Sequence, residues 1–473
     1  MTRSLTVALA VLAGGAPADA AAPCIRPSRA PTQVQGEVRI CPGRYRIADP
    51  SERGVIVAAA SGTRIDLTGV VLESGDSVPA RFTGLGVASK DVDGVSIVGG
   101  TLRGYRIGVR LEGGHGHQVR GIDVSGSRAA TLRSNATRPD TADRLDPFHL
   151  NAFSEAGAGL VLVRTAATSV TGVTARRAQN GIGLIDTRES YLADNDVSGN
   201  TSWGISLWHS SRNVVLRNRV ERTVRCAPPT VECNAAAILL REGSDSNTVA
   251  ENVLTGSSTG LRITGQPPLT QASVGNLVLR NDASGSGVAF AAGHTWSVTF
   301  LENRGDSAAI GFRLDHLNGS VLRGNTVIGA RIAGVTMEHG SDNSLAANVL
   351  LGGRVGIMVT APQRGGPPSR GHRIDDNVVG GVEQGILLQG TTGSRIRGNL
   401  LDGLVDGLVI DNVGHGTEVH GNIFLRASGW FIDAPDLAAG GNYWATADAA
   451  AATARVRGRI SVLPWRPASA AGY

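Results

Sequence analysis

The chain has few aromatic residues, 4% of its 473, and only four cysteines and three methionines. Its net charge is a modest +5, carried almost wholly by arginine, with no basic run. Such a balance admits an anionic partner but gives no electrostatic footprint for nucleic acid. The cysteines form two local pairs, Cys24 with Cys41 and Cys226 with Cys233, and neither pair has CxxC spacing or a neighbouring histidine. That argues against a zinc-type site and, in an exported protein, for two short-loop disulfides. No residues are assigned as metal ligands. Beyond the first twenty residues, no apolar stretch is long enough to span a bilayer.

What is abundant is glycine, 64 residues, which favours many turns over long helices. The N-terminus reads MTRSLTVALAVLAGGAPADA. One arginine precedes a short apolar run that ends in Ala18-Asp19-Ala20, the pattern of a secretory signal cut after Ala20. The expectation is a secreted or periplasmic protein with no membrane insertion after cleavage.

An internal repeat sets the architecture. One copy is "GISLWHSSRNVVLRN"; others are "GVTMEHGSDNSLAAN", "GILLQGTTGSRIRGN" and "GLVIDNVGHGTEVHGN". The last asparagine of each copy forms a series: Asn195, Asn218, Asn252, Asn281, Asn303, Asn325, Asn348, Asn377, Asn399 and Asn422. Successive gaps are 23, 34, 29, 22, 22, 23, 29, 22 and 23. Apolar and polar residues alternate within each copy, as in short half-buried strands. Two such strands and a weaker third segment per copy predict a coil whose strands pair with their equivalents about 4.8 Å away. A lone copy could not bury its core, so the coils stack. The asparagines fit tight turns, where stacked amides bridge backbone groups of adjacent coils.

The "PGRY" start, the G-I-x-L copies and the late "GNYW" at 441–444 resemble the right-handed parallel β-helix superfamily, in its pectate-lyase-like and NosD-type branches. The resemblance implies an all-β, single-stranded solenoid with 22–23-residue coils and an asparagine ladder. The expected layout is a signal peptide at 1–20, an N-terminal cap at 21–40, the β-helix at 41–435, and a C-terminal cap and tail at 436–473. The Ala-rich stretch 445–458 is expected to form a short helix, with 460–467 running back along the last coils.

Extra residues in a solenoid collect in loops on the binding face. Insertions lengthen the chain at 127–157, after residue 220, after the strand ending at Thr264 and after that ending at Thr360. All flank the G-Φ-x-Φ strands, which predicts a groove across the coils suited to a linear polysaccharide. The Cys226–Cys233 loop would be a stapled wall. Strand parity turns Trp208, Arg241, Arg262, Arg313, Asp315 and Glu338 outward. Trp203 is expected at the groove edge and His209 at the strand end. Outward tryptophans suit stacking on sugar rings. Arg241 and Arg262 are read as equivalent positions on adjacent coils, repelling one another unless an acidic ligand, Glu242 or Asp245 lies between them.

The segment "RLDPFHLN" puts Asp146 and His149 at the groove mouth. It partly resembles the Asp-Pro-His-Asp motif of mannuronan C5-epimerases, whose histidine is a base; here the order is Asp146-Pro147-Phe148-His149, without the acidic fourth residue. Pectate lyases of this fold bind Ca2+ through strand aspartates. No Asp-x-x-x-Asp pair stands in these strands, so Ca2+ has no motif here and the cofactor stays open. A NosD-type copper role would want clustered Met, His or Cys, and the histidines read as scattered along the chain.

Lyase or epimerase chemistry on an acidic polysaccharide needs a cation for the carboxylate, a base for the C5 proton, and an acid for the leaving oxygen or the opposite face. Arg241 and Arg262 suit the first role, and His149 or His209 with Asp146 the second. Hydrolysis would need two carboxylates, with Asp146, Asp186, Glu189 and Glu242 or Asp315 and Glu338 available. A carbohydrate-binding surface protein without chemistry is the remaining alternative.

Overall fold

The alternating repeat folds as short strands that pair in parallel, copy on copy. The computed structural model describes residues 24–464 except 136, 139, 144–155, 227–233, 267–270, 362–368, 412–415 and 447. One sheet contains sixteen strands of two to four residues, from Cys24–Ile25 to Glu418–His420. A second face carries longer strands, among them Ala158–Val163, Asn180–Ile185, Trp203–Trp208, Ala236–Arg241, Thr259–Thr264, Val288–Trp296, Ile310–Asn318 and Ala333–Glu338, each in register with the next. A third face is thinner, with single bridges such as Asp196 to Arg219 and Arg219 to Val253. This is a right-handed parallel β-helix.

Inward apolar residues from all three faces merge into one continuous core along the solenoid. The strand-entry glycine is required by packing. A Cβ on Gly204 would meet Val220 Cγ1 at 2.0 Å and the Ala237 carbonyl at 2.6 Å.

The asparagine ladder is continuous and buried. Asn218 Nδ2 donates to the Leu192 carbonyl at 3.0 Å and to Asn252 Oδ1 at 3.0 Å, while Asn252 Oδ1 also accepts from the Asn218 backbone N–H at 2.8 Å. The same links run from Asn195 to Asn422 and end on Asn442. A second ladder, Asn213–Asn247–Asn276, stands in the approach to the short strands. Each amide serves backbone groups that the tight turn leaves without sheet partners. Leaving one buried group unpaired costs about 1–3 kcal/mol.

Both ends are joined to the stack by strand pairing. Cys24 and Cys41 form a disulfide, and Cys24–Ile25 pairs with Arg39–Ile40 while Thr32–Val34 pairs with Ile56–Ala58. At the other end, Ala449–Thr453 is a short helix whose Asp448 side chain caps the Ala450 N–H. The chain then forms Val456–Ser461, which pairs in parallel with Ile432–Ala438. Residues 460 and 461 therefore do not run back along the coils. They extend the stack by one rung, because the edge of the last coil offers unpaired backbone groups that a parallel strand satisfies. Among the described residues, no helix is long and apolar enough to cross a membrane.

Candidate functional site

On the long-stranded face, Ile205 and Leu207, Ile238 and Leu240, and Leu261 and Ile263 enter the core and are fully buried. The intervening residues form two outward columns across the rungs. One runs Gly183, Ser206, Leu239, Arg262, Ala291, Arg313 and Thr336; the other runs Ile185, Trp208, Arg241, Thr264, Gly293, Asp315 and Glu338. The next residue turns the chain in a left-handed backbone conformation at Asp186, His209, Glu242, His294, His316 and His339, with φ between 42° and 51°.

This register corrects the expected arginine stack. Arg262 stands opposite Leu239, and Arg241 opposite Thr264, so the two arginines occupy different columns. The true equivalent of Arg262 is Arg313, two rungs on, with Ala291 between them.

The expected tryptophan patch is largely closed by its own contacts. Trp203 is not at a groove edge. It is buried against Ala236, Leu239 and the half-buried Ile185, since the strand-entry residue packs on the neighbouring rungs. Trp208 does point outward but is half-buried. It stacks on His209 with ring centroids 4.6 Å apart, and its Nε1 donates to Glu242 Oε2 at 2.9 Å. Arg241 is not available to neutralise a substrate carboxylate. It is 2% exposed, its Nη2 donates to Glu242 Oε1 at 2.6 Å, and its guanidinium lies 5.8 Å from the Trp208 ring centre. Gln266 Nε2 also donates to Glu242, at 3.1 Å. One buried carboxylate thus organises three donors. His209 remains partly exposed, with Nδ1 3.4 Å from Asp186 Oδ1.

The rungs that follow differ. Arg262 is half-buried and Arg313 is exposed. Between them the rung Val288–Trp296 offers only the methyl of Ala291 and the bare Gly293, which leaves a notch about 10 Å across, two rung spacings. The Arg262 side chain contacts Asn234 Oδ1 at 3.3 Å. Among the described residues no carboxylate lies within ion-pair distance of either arginine. Burial first, then the charges of Arg313 and Arg241, push the Arg262 guanidinium below its usual proton affinity. It still stays charged, so the fold leaves a half-buried positive charge facing a second one.

Beside the notch stands a stack of imidazoles. The His294 and His316 rings lie 4.4 Å apart, and the His316 and His339 rings 4.8 Å apart. Asp315 Oδ1 is 2.6 Å from His316 Nδ1, and its Oδ2 is 4.0 Å from His294 Nε2. His294, Asp315 and His316 are partly buried and each offers a ligand atom, all within 4.8 Å of one another. Burial, and secondarily His316, lower the proton affinity of His294, with Asp315 opposing. The histidines are therefore not scattered. The signal was present in the sequence: 294, 316 and 339 are spaced 22 and 23 apart, the period of the repeat itself.

Glu338 is exposed, next to Asp315 in the second column. Asp146, His149 and Cys233 lie outside the described residues, as do the middles of the insertions expected to wall the groove. Cys226 is disulfide-bonded. Further along the same face, Gln384, Leu387, Gln389, Val409, Asp411 and Arg457 line a cavity of about 500 Å³.

Among solved structures, the chain is similar to a tailspike mutant of the E. coli bacteriophage HK620 in complex with a hexasaccharide, with 13% identity over 82% of this chain and 71% of that one, and a TM-score of 0.50. It is also similar to a double mutant of the periplasmic alginate epimerase AlgG, with 12% identity over 83% and 85% of the two chains and a TM-score of 0.47. A third is a mannuronan C-5 epimerase A-module of Azotobacter vinelandii, with 13% identity over 83% and 91% and a TM-score of 0.43. At such identities the likeness is one of fold. No curated protein matches the chain. The family model of NosD, described as a periplasmic copper-binding protein, matches residues 62–281, 242–365 and 268–454, and the chain belongs to that family.

Proposed function

We propose that this is an exported, carbohydrate-active β-helix protein that acts on a linear acidic polysaccharide laid across the rungs of the long-stranded face. One observation carries the reading: Arg262 and Arg313 face one notch with no carboxylate beside them among the described residues. A half-buried cation without an anionic partner is costly, and an anion seated between the two would relieve the cost. A polymer running perpendicular to the strands would place successive acidic units along the columns, past the half-buried Trp208.

The chemistry proposed is β-elimination or C5 epimerisation. The arginines would neutralise the uronate carboxylate and acidify its C5 proton. The acceptor of that proton would be a histidine of the turn edge, an imidazole being suited to proton transfer near neutral pH; in elimination the C4–O bond then breaks and its oxygen leaves with a proton from water, and in epimerisation water returns a proton to C5 from the opposite face. His209 beside Asp186 and His294 beside Asp315 are the candidates for that acceptor, the second on the notch's own rung.

The test is a panel of acidic and neutral glycans, followed by ultraviolet absorbance of an unsaturated uronate and by NMR of C5 configuration. Arg262→Ala with Arg313→Ala should weaken binding about 100-fold and abolish product. Reducing ends without absorbance would point to hydrolysis. Binding without any product would leave a binding module, and a panel with no binding would overturn the reading.

A second reading comes from the family description, copper binding, and the histidine stack is the observation that favours it.

A further inference from the structure

We propose that His294, Asp315 and His316 form a binding site for a borderline divalent transition-metal ion, Cu2+, Zn2+ or Ni2+, on the rim of the arginine notch. The proposal deepens the copper-binding reading by naming ligands and oxidation state, and it does not depend on the glycan reading.

The donor set decides the class of ion. Two imidazoles and a carboxylate suit borderline divalent ions. Ca2+ takes six to eight oxygens, and this cluster offers one carboxylate. Cu+ prefers thiolate and thioether. Among the described residues no thiolate joins the cluster: neither Cys24, Cys41 nor Cys226 is a free thiol.

The geometry is close to what an ion needs. Metal–ligand distances of about 2.0–2.2 Å put two ligand atoms of one ion at most about 4.4 Å apart. The three candidate atoms already lie within 4.8 Å, so modest side-chain rotation would complete the set. Two features favour occupancy. The rings are partly buried and still reached by solvent. Asp315 already approaches both imidazoles, at 2.6 and 4.0 Å, and supplies the negative charge an ion requires.

His339 follows on the next rung, its ring 4.8 Å from that of His316. It belongs to the stack but not to the triad and takes no part in the proposed ligand set. On the other side, Gly293 pairs with Asp315 in the second column, so the ion would sit beside the notch floor. It would add a third positive centre to those of Arg262 and Arg313. It would also occupy a lone pair of His294 and leave proton transfer to His209.

The test uses the tag-free purified chain titrated with Cu2+ against a chromophoric chelator, with electron paramagnetic resonance of the loaded protein. One tight equivalent is expected, its spectrum split by two imidazole nitrogens. His294→Asn and His316→Asn keep a residue that tolerates the left-handed turn, and each should weaken binding about tenfold or more, as should Asp315→Asn. His339→Asn should leave the affinity unchanged within measurement error. Millimolar Ca2+ should not compete. Unchanged melting temperatures would show that the variants fold. Copper bound equally well by the His294→Asn/His316→Asn double variant would remove this site and leave copper binding elsewhere on the chain. A wild-type chain that binds no Cu2+ would overturn both.

Discussion

Two neighbouring regions of one face are built on the same backbone and reach opposite electrostatic states. Around Trp208, the buried Arg241 is matched by the buried Glu242, and the indole and Gln266 complete the carboxylate's partners. Around Ala291, Arg262 and Arg313 face each other with no carboxylate within ion-pair distance of either among the described residues. A repeat fixes where side chains stand but not whether their charges are met. A closed cluster contributes to stability, while an open one holds its interaction in reserve for a ligand. Tryptophan drew attention to the first region, and the second is the better candidate for function.

The comparison can be broken in order of expected effect. Arg241→Ala should destabilise the fold by about 3–5 kcal/mol, because it strands a buried carboxylate; chemical denaturation would read this. A loss below about 1 kcal/mol would mean the cluster is not closed. Arg262→Ala with Arg313→Ala should leave folding stability nearly unchanged, or slightly raise it, while reducing affinity for an acidic oligosaccharide by about 100-fold, near 3 kcal/mol for the charged hydrogen bonds lost. Isothermal titration separates the two quantities, and equal damage to stability would erase the contrast.

A milder effect should come from pH, through a residue outside both regions. Burial lowers the proton affinity of His372 to about 4 in the fold, against about 6.5 when unfolded. Below pH 6.5 the unfolded chain takes up a proton that the fold refuses. Stability should therefore fall as the pH drops from 6.5 towards 4, by up to about 1.4 kcal/mol per unit, and be fully present above 6.5. Melting curves across that window, flattened in His372→Asn, would check it. The smallest effect expected is that of Trp208→Phe, which loses the indole bond to Glu242 and about 1 kcal/mol. If that variant also abolished glycan binding, the Trp208 region would regain a direct role.

The solenoid was legible because its signals are local and repeated. Alternation reports strands, and the asparagine spacing reports the coil. The arginine register was misread although the frame was legible: Arg241 stands two residues further along its strand than Arg262 does along the next, so the two belong to different columns. Trp203 was misplaced because contacts with Ala236 and Leu239 on the next rung decide its burial, and alternation within one strand does not show them. The histidine stack was readable and missed. Counting histidines hides what their phase in the repeat reveals.

The turn position after each long strand has one further consequence. His294, His316 and His339 sit at the same offset in three consecutive coils. A solenoid that lengthens by duplicating a coil copies every side chain into a neighbouring, stacked place. One histidine in an ancestral coil would become a row of them without any change of fold. In such a protein a multidentate site need not be assembled from distant segments; it can arise from duplication and be pruned afterwards by point substitution.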